Sequence, residues 1–384
     1  MIKVAIIGVG AISKAHIDAY LSFQERCEIV ALCDIYPEKA QRAAEKFTNH
    51  LSIYSDYKQM INEEEIDLVS VCTPPYTHAD ITIDVLESGV NVLVEKPMAS
   101  SLEECDAMNE AARRNKKVLS VVAQNRFMTP IKKLKSVLNS GLAGEIVHIQ
   151  IDSHWWRGYS YYDLWWRGTW EKEGGGCTLN HAVHHIDMLQ WMVGMPKEIT
   201  AVATNTAHDN AEVEDLSIAI CKYENNCLAQ ITSSVVHHGE EQTLIFQGRN
   251  ARISVPWKVT ASQSMENGFP LNDPIVESEL QKLYNQYPSQ KHEGHSGQIE
   301  DILLALEGKK EVLVDGIQGK RTLELIMAIY QAASLKQTVK LPLTKNDPFY
   351  TRAGVLENAT YFYEKKKHIS NFNSEDITIG GNYK

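Results

Sequence analysis

The stretch "KVAIIGVGAIS" (residues 3–13) decides the fold of the N-terminal half of this chain. After Lys3 comes a continuous apolar run, which is typical of a strand that is buried on both faces. Gly8 and Gly10 follow at once, and a helical pattern begins after them. Because glycine permits a tight turn, the stretch predicts a strand, a turn and a helix in close succession.

Four more apolar runs follow before residue 125, and helical patterns separate them. One of these patterns opens with Ser100 and Glu103, which predicts a capping box at the start of a helix. Strands that alternate with helices in this way form parallel sheets covered on both faces. Residues 1–123 are therefore predicted to be a doubly wound α/β domain. The four runs are "EIVALCD" (28–34), "DLVSVCTP" (67–74), "NVLVEKP" (91–97) and "KVLSVVAQ" (117–124).

The pattern changes near residue 145, where alternating apolar and polar segments follow one another with only turns between them. This is typical of antiparallel strands with one buried face, and a helix is predicted near 319–337. We predict an α+β domain with a large open, mostly antiparallel sheet over residues 124–343. Residues 344–384 lack periodicity and are predicted to be a tail that wraps the surface or a neighbouring subunit, or is disordered. The predicted strand segments are "EIVHIQIDSHW", "EITAVATNT", "DLSIAICKY", "CLAQITSSVV", "QTLIFQG" and "ARISVP".

Composition and charge exclude several classes of function. The net charge of −11 repels phosphate backbones and anionic lipid, and no long basic stripe offsets it, so no nucleic-acid partner is expected. No apolar run reaches the length of a membrane span. The seven cysteines are scattered and include no CxxC motif, which favours reduced thiols in a cytoplasmic protein.

A dinucleotide site is predicted at the first turn. "GVGAIS" (residues 8–13) lies between a strand and a helix, where the glycines let the backbone approach a pyrophosphate. Asp34 ends the second strand at the expected distance, and a carboxylate there accepts hydrogen bonds from a ribose diol and repels a 2′-phosphate. NAD is therefore predicted over NADP. The expected contacts in this region are Gly8, Gly10, Ala11, Ile12, Asp34 and Ile35.

Two further stretches follow predicted strands, where open α/β sheets bind ligands. They are "CTPPYTHAD" (72–80) and "VEKPM" (94–98). A lysine at such a strand end, beside a nicotinamide, is unlike a surface lysine, because burial and the positive ring would both lower the pKa of Lys96. We predict that Lys96 belongs to the active site.

These motifs together resemble one family. The glycine turn followed by His16, "TPPYTHAD", "EKP", "QNRF" (124–127) and "GGGxxxNxxxH" occur in an order and spacing similar to those of the Gfo/Idh/MocA oxidoreductases. The resemblance covers about residues 2–340. It implies a Rossmann domain followed by a sheet domain that covers the nicotinamide and mediates oligomerisation, as a homodimer or homotetramer. The further cofactor contacts that we expect are Thr73, Pro74, His78, Glu95, Lys96, Gln124 and Arg167.

The stretch "GGGCTLNHAVHHIDML" (174–189) is interpreted as an acid/base site. His181 and His185 could supply two metal ligands but have no evident third, and Cys177 has no oriented base, so neither a metal nor a nucleophile is predicted. Removing a hydroxyl proton suits a histidine, and the resemblance assigns this role to His184 together with Lys96. Asp187 is expected to hold the helix to the sheet or to Arg167.

One residue departs from the family pattern at this point. Relatives commonly carry aspartate where this chain has Asn180. An amide cannot stabilise an imidazolium by charge, so the pKa of His184 is expected to be lower than in such relatives. Lys96 is then expected to carry more of the proton transfer.

Five of the seven tryptophans fall in "HWWRGYSYYDLWWRGTW" (154–170). Clustered aromatic rings with polar tips favour a carbohydrate site, since ring faces stack on sugar C–H groups. A subunit interface or a hinge core is the alternative, and both interpretations can share the segment. The predicted substrate contacts are Lys96, Arg126, His154, Trp156, Arg157, Tyr159, Asn180, His184 and His295.

The predicted function is NAD-dependent oxidation of a ring hydroxyl of a sugar or glycoside, plausibly at C3, to a keto sugar. Hydride goes to nicotinamide C4, and Lys96 and His184 handle the proton. Three alternatives stay open. One is a redox-neutral enzyme with tightly bound NAD, which cleaves glycosides or couples two substrates. The others are an inositol or UDP-sugar dehydrogenase and, least favoured, an NAD-sensing binding protein without catalysis.

Overall fold

A computed structural model of the chain describes residues 1–47, 51–370 and 372. Its first sheet has six parallel strands in the order β3-β2-β1-β4-β5-β6. These strands are β1 (Ile2–Ile7), β2 (Cys27–Cys33), β3 (Ser52–Tyr54), β4 (Leu68–Val71), β5 (Asn91–Val94) and β6 (Leu119–Val121). The helices between them are α1 (Ser13–Leu21), α2 (Pro37–Ala44), α3 (Tyr57–Glu63), α4 (His78–Glu87) and α5 (Leu102–Asn115).

The second sheet has nine strands in the order β14-β13-β12-β11-β7-β10-β9-β8-β15. All neighbours are antiparallel except β7 and β10, which are parallel. The strands are β7 (Ile146–His154), β8 (Glu198–Thr204), β9 (Leu216–Lys222), β10 (Leu228–Ser234), β11 (Gln242–Gly248), β12 (Ala251–Val255), β13 (Lys258–Ser264), β14 (Pro270–Asn272) and β15 (Val339–Lys340). The remaining helices are α6 (Thr129–Asn139), α7 (Cys177–Asn180), α8 (Val183–Val193), α9 (Pro274–Gln286), α10 (Gly294–Leu306), α11 (Gly316–Leu335) and α12 (Arg352–Asn358).

The predicted fold class is confirmed: a doubly wound parallel sheet precedes a mostly antiparallel one. Three details differ from the prediction. The short strand β3 was missed, and so was the β13–β14 hairpin. The cap of α5 lies one residue later than predicted, because the hydroxyl of Ser101, not that of Ser100, accepts the N–H of Glu104. The carboxylate of Glu104 in turn accepts the N–H of Ser100.

Helices α10 and α11 join the two sheets. Ile299, Ile302 and Leu303 of α10 are buried in the same apolar cluster as β1 and α1 of the first domain. Helix α11 packs on α5 and β6 as well as on α8 and β8. The predicted boundary at residue 124 therefore does not separate two independent cores, since the chain returns to the first domain after residue 293.

Residues 344–370 are more ordered than the predicted tail. Phe349, Tyr350 and Val355 are buried, and α12 forms where no helical pattern was found. Residues 359–370 then cross the surface of the second domain. The rest of the predicted tail, residues 371 and 373–384, lies outside the described residues. None of the helices in the described ranges is long and apolar enough to cross a membrane.

A buried ion pair fixes the helix that carries His184. Arg126 is 0% exposed, and two of its nitrogens each lie 2.7 Å from an oxygen of Asp187 on α8. The hydroxyl of Thr322 on α11 also donates to Asp187, at 2.8 Å. The prediction that Arg126 contacts the substrate is therefore wrong, because Arg126 is enclosed. Asp187 holds α8 to Arg126 in the turn after β6, and of its two predicted partners, the sheet and Arg167, the second is wrong.

Replacement of Asp187 by asparagine should destabilise the fold strongly. The change keeps the shape of the side chain but leaves the buried Arg126 charge uncompensated, which costs about 3–5 kcal/mol. Urea unfolding, followed by fluorescence and circular dichroism, measures the loss. Glu110→Gln is the control, because its pair with Arg113 lies on the surface of α5 and should leave the unfolding midpoint unchanged. Equal midpoints for the two variants would contradict the role of the buried pair.

Candidate active site

The turn after β1 forms a cradle that only glycine fits. Gly8 has a φ of +89°, and a Cβ there would lie 2.8 Å from backbone atoms of Cys72 and Thr73 at the end of β4. Gly10 faces open space and is exposed. The hydroxyl of Ser13 is satisfied by the carbonyl of Gly10 at 2.7 Å, so the serine at the third position of the motif does not disturb the packing of α1.

Asp34 closes one end of this cradle. Its two carboxylate oxygens accept the backbone N–H of Val9 at 2.7 Å and that of Tyr36 at 2.9 Å. The carboxylate is thus held across the mouth of the turn, at the end of β2, while the neighbouring Ile35 side chain is exposed. Each oxygen of a carboxylate has a second acceptor site, which leaves capacity for a diol.

Glu95 is the centre of the opposite end. Its carboxylate is buried at the end of β5, accepts the N–H of Lys96 at 3.0 Å, and lies 2.9 Å from Nε2 of His16 on α1. Nε2 of His295, at the start of α10, lies 3.7 Å from the same oxygen. The two histidines hold the pKa of Glu95 well below its usual range, against the effect of burial. The Glu95 carboxylate therefore links β5 to α1 through His16 and to α10 through His295.

These three residues also form a potential metal-ligand group. Their ligand atoms lie within 4.8 Å of one another, a donor set that zinc can use, whereas the sequence predicted no metal site. The hydrogen bond between His16 and Glu95 accounts for the arrangement without an ion.

Two predicted cofactor contacts, His78 and Gln124, differ in their hydrogen bonding. Both ring nitrogens of the buried His78 lie 2.8 Å from carbonyl oxygens, those of Thr73 and Pro97. His78 therefore joins the turns after β4 and β5 and is not directed at the cofactor as predicted. Gln124, by contrast, has a buried side-chain oxygen without a hydrogen-bond partner among the described residues.

Lys96 and His184 line the same cavity. Nζ of Lys96 donates to the carbonyl oxygen of Asn180 at 3.1 Å. Burial lowers the pKa of Lys96, and Glu95 opposes this shift. Burial and the charge of Lys96 hold the pKa of His184 well below 6.5. No hydrogen bond joins the His184 ring to any residue in the described ranges, so both of its nitrogens are available to a ligand.

The helix that carries these residues is broken rather than continuous. It consists of α7 and α8, which a turn at His181 and Ala182 separates. Asn180 therefore belongs to α7, whereas His184 and Asp187 belong to α8. Asn180 contributes its backbone carbonyl to Lys96, while its side-chain amide donates to Gly175 at 3.3 Å.

A buried glutamate holds the start of α7. A Cβ at Gly176 would collide with the carbonyl oxygen of Glu214, so only glycine permits this close approach of the two backbones. The carboxylate of Glu214 accepts N–H groups of Gly176 and Thr178, at 3.1 and 2.9 Å. Cys177 is fully buried, and burial keeps its pKa well above 9. It is therefore no nucleophile.

Residues 155–173, which we call the aromatic loop, contact His181 between α7 and α8. The Tyr161 ring lies 5.6 Å from that of His181, and the Arg167 guanidinium lies 4.3 Å from the Tyr161 ring. Arg167 also pairs with the buried Glu173 at 3.1 Å. Burial raises the pKa of Glu173 to about 7, although Arg167 opposes the shift. Arg157 and Arg167 both act electrostatically on Lys96.

The other predicted substrate residues are dispersed. Trp156 and Tyr159 are 45% and 44% exposed at the rim of the loop. Arg157 is half-buried and pairs with Glu240 at 2.6 Å. His154 stacks on His237 with ring centroids 4.1 Å apart, and no contact in the described part of the chain joins it to Lys96 or His184.

Several residues near the site were not predicted from the sequence. They are Tyr76, Tyr161, Glu173, Glu214 and Glu240. Tyr76 lies within the quoted "CTPPYTHAD" motif, so its position was already indicated. Tyr161 lies within the quoted tryptophan-rich stretch, and Glu173 follows it closely, six residues from its partner Arg167. Glu214 and Glu240 are single residues whose partners are distant in the chain, and no local pattern marks them. Trp155 and Trp170, within the tryptophan cluster, are core residues.

Both halves of the chain match models of one family of known proteins. Residues 2–123 match the model of the oxidoreductase family with an NAD-binding Rossmann fold, and residues 131–254 match the GFO/IDH/MocA C-terminal domain. The two matches together cover well over half of the chain. The chain belongs to the Gfo/Idh/MocA oxidoreductase family.

Individual Gfo/Idh/MocA relatives differ in the chemistry that their names record. A 2,7-anhydro-N-acetylneuraminate hydratase of Mediterraneibacter gnavus is 28% identical over 65% of this chain, and the alignment spans 66%, just under two thirds, of that relative. A D-glucoside 3-dehydrogenase of Escherichia coli is 26% identical over 88% of this chain and 97% of the relative. The structure of the WlbA dehydrogenase of Bordetella pertussis, with NADH and UDP-GlcNAcA, is 28% identical, with a TM-score of 0.77, and covers 89% of this chain and 98% of that one.

The chain is thus an NAD-dependent enzyme of the Gfo/Idh/MocA family, and its own residues fit the cofactor. A Cβ at Gly8 would fill the cradle, and no atom lies within 4 Å of the position that a Cβ at Gly10 would take. The Asp34 carboxylate lies at the end of the cradle where the ribose of NAD would bind. The unpartnered oxygen of Gln124 is a further polar group that a bound nicotinamide amide could satisfy. When NAD is bound, its nicotinamide ring supplies the hydride-accepting chemistry of the oxidation.

Replacement of Lys96 by methionine should raise the pKa of His184. Without the neighbouring positive charge the imidazolium is less disfavoured, so His184 should take up its proton at a higher pH. Nuclear magnetic resonance titration of the histidine Cε1–H signals measures the shift, and His184→Asn identifies the signal. Lys172→Met serves as the control because that lysine lies over Trp165. A His184 pKa that is unchanged or lower would contradict the electrostatic coupling of the two residues.

Proposed function

We propose that this chain oxidises a secondary ring hydroxyl, at C3, of a neutral sugar or glycoside to a keto sugar, with NAD as the oxidant. The observation that carries the proposal is the proximity of Lys96 and His184, which border one small, mostly apolar cavity at the end of β5 next to the NAD cradle. An alcohol oxidation requires one group that accepts the hydroxyl proton and one that stabilises the charge on the oxygen. These two side chains provide such a pair.

The surroundings of the two residues assign them different roles. Lys96 donates to a carbonyl oxygen and lies beside the Glu95 carboxylate, both of which favour the ammonium form. His184 is neutral, and no partner occupies its nitrogens within the described structure. We infer that His184 accepts the hydroxyl proton while the Lys96 ammonium hydrogen-bonds the same oxygen. The sequence predicted that Lys96 would carry more of the proton transfer, because Asn180 replaces the aspartate of relatives. In the arrangement proposed here, His184 is the base and Lys96 is not.

The charges at the aromatic loop favour a neutral substrate over a nucleotide sugar. A pyrophosphate needs cationic side chains that are free to bind it. Arg157 and Arg167 are already in contact with Glu240 and Glu173, respectively, so neither guanidinium is free. The exposed rings of Trp156 and Tyr159 offer faces on which a sugar can stack. The near full-length similarity to a D-glucoside 3-dehydrogenase supports oxidation of a glycoside at C3.

A redox-neutral reaction is the second candidate. The addition of water involves no net oxidation, and the similarity to a hydratase favours a cycle in which NAD is reduced and reoxidised within one turnover. A keto group at C3 acidifies the neighbouring C–H bond, so the same Lys96–His184 pair would begin both reactions. Retention of NAD through turnover separates the two candidates.

Self-association and a cytoplasmic location are part of the proposal. The face of the second sheet that the helices leave open carries Val202, Ile218, Ile220 and Leu228, of which Val202 is 71% exposed. An open apolar sheet face of this kind favours coverage by a second copy, as a homodimer or homotetramer. All seven cysteines are free and buried, which suits a reducing compartment.

His184→Asn should lower kcat by about 10²- to 10⁴-fold, since it removes the proton acceptor. The dissociation constant for NAD should remain unchanged, because the cradle lies on the first domain. Stopped-flow and steady-state absorbance of reduced nicotinamide measure the rate, and calorimetry measures NAD binding. The control is His238→Asn, which alters an exposed histidine at the rim beside Trp156. A kcat near that of the unmodified enzyme would exclude His184 as the base.

A substrate panel tests the class of substrate. Methyl and aryl glucosides should be oxidised with a kcat/KM at least tenfold above that for UDP-sugars, because the arginines at the aromatic loop are paired. The position of the keto group is read by borohydride-d4 reduction and mass spectrometry. A preference for UDP-sugars would exclude the neutral-glycoside proposal, while NAD binding without any turnover would favour a sensor. A burst without added NAD, followed by net product and no free NADH, would favour the redox-neutral cycle.

A further inference from the structure

The residues that follow α12 lie along the aromatic loop. We call residues 359–370 the C-terminal strap. The backbone of Ile369 pairs with the loop on both sides: its N–H donates to the carbonyl oxygen of Asp163, and its carbonyl oxygen accepts the N–H of Trp165, each at 3.0 Å. This forms a short parallel bridge between Ile369 and Leu164. The strap thus provides backbone partners to a segment that lies outside both sheets.

Three consecutive lysines of the strap strengthen the attachment. Nζ of Lys365 donates to the carbonyl oxygen of Tyr162. Lys366 pairs with Asp209 at 2.7 Å, and Lys367 pairs with Asp163 at 3.2 Å. Each lysine of the "EKKKH" run (364–368) therefore has a partner in the second domain.

The start of the strap holds the far end of the loop. The carbonyl oxygen of Thr360 accepts the indole N–H of Trp170 at 3.2 Å. The N–H of Phe362 donates to the carbonyl oxygen of Glu212 at 2.9 Å, while a carboxylate oxygen of Glu212 accepts the N–H of Trp170 at 3.0 Å. Attachment therefore extends from Tyr162 to Trp170.

The same loop residues face the site through their side chains. The Trp165 ring lies 6.2 Å from that of Tyr76, in the turn after β4 of the NAD-binding domain. Tyr161 contacts His181 and Arg167 beside the Lys96–His184 cavity. The loop contains one short 3₁₀ turn, Tyr159–Asp163, and no other regular structure between its ends. Because loops without such attachment are mobile, the position of these rings depends on the strap.

We propose that the C-terminal strap is a positioning element for the substrate site. It holds the aromatic loop against the NAD-binding domain, and so sets the affinity for the sugar while leaving the chemical step to Lys96 and His184. The identity of the substrate in this inference rests on the proposed function, but the attachment of the C-terminal strap to the aromatic loop does not. Neither family match extends to these residues, since the second match ends at residue 254.

Ile369→Pro tests the proposal against Ile369→Ala in the full-length chain. Proline removes the N–H that donates to Asp163, whereas alanine keeps it and removes the same apolar side chain. Loss of one such hydrogen bond should raise the KM for the glycoside about five- to tenfold in the proline variant alone, with kcat within twofold. Hydrogen exchange of the amides of residues 161–166 should be faster in the same variant, and NAD affinity should be unchanged.

A charge exchange provides a second measurement. Lys366→Glu should raise the KM, because it faces Asp209, and the added change Asp209→Lys should restore it. Equal KM values and equal exchange rates for the proline and alanine variants would overturn the proposal, and so would a proline variant in which only kcat falls. If the unmodified enzyme oxidises no sugar, the proposed function fails, while the exchange rates still decide whether the strap holds the loop.

Discussion

The burial of the Glu95 carboxylate is the constraint on which the rest of the site depends. A charge enclosed at the end of β5 must have partners, and the chain supplies His16 from α1, His295 from α10 and the N–H of Lys96. These partners bring the first turn of the nucleotide domain and the returning helix to the base of the reactive lysine. The position of Lys96 is thus set by the same charge that closes the NAD cradle.

Three other buried carboxylates in this region are each paired with a basic side chain, in contrast to Lys96 and His184. Asp187 has Arg126, Glu173 has Arg167, and Asp215 has His208 at 2.9 Å. These pairs fix α8, the aromatic loop and the turn before β9, respectively. Lys96 has one carbonyl acceptor for three ammonium hydrogens, and His184 has no hydrogen-bonded partner in the ranges that the structure describes. These two groups therefore keep hydrogen-bonding capacity for the substrate hydroxyl that the proposed function requires.

The sequence predicted the elements better than the contacts between them. Apolar periodicity marked the longer strands of both sheets, because burial of a strand leaves a local pattern. It missed β3, which has only three residues, and the β13–β14 hairpin, whose side chains are mostly exposed. The motifs located Asp34 at one end of the cradle and Lys96 with His184 at the other, but not the partners of these residues. Arg126 was misread because a buried arginine and a substrate-binding arginine look alike until Asp187, 61 residues away, is placed beside it.

The order of strands in the second sheet bears on how such a chain can fold and diverge. Strand β7, the first of this sheet to be synthesised, lies at its centre, with β8–β10 on one side and β11–β14 on the other. Each side is a run of neighbouring antiparallel strands with short sequence separation, which favours rapid local pairing. The junctions of β7 with β10 and with β11, and that of β15 with β8, require a distant segment to arrive. Strands at the two margins, β14 and β15, can therefore be lengthened, exchanged or lost in evolution without a change in the register that holds the centre.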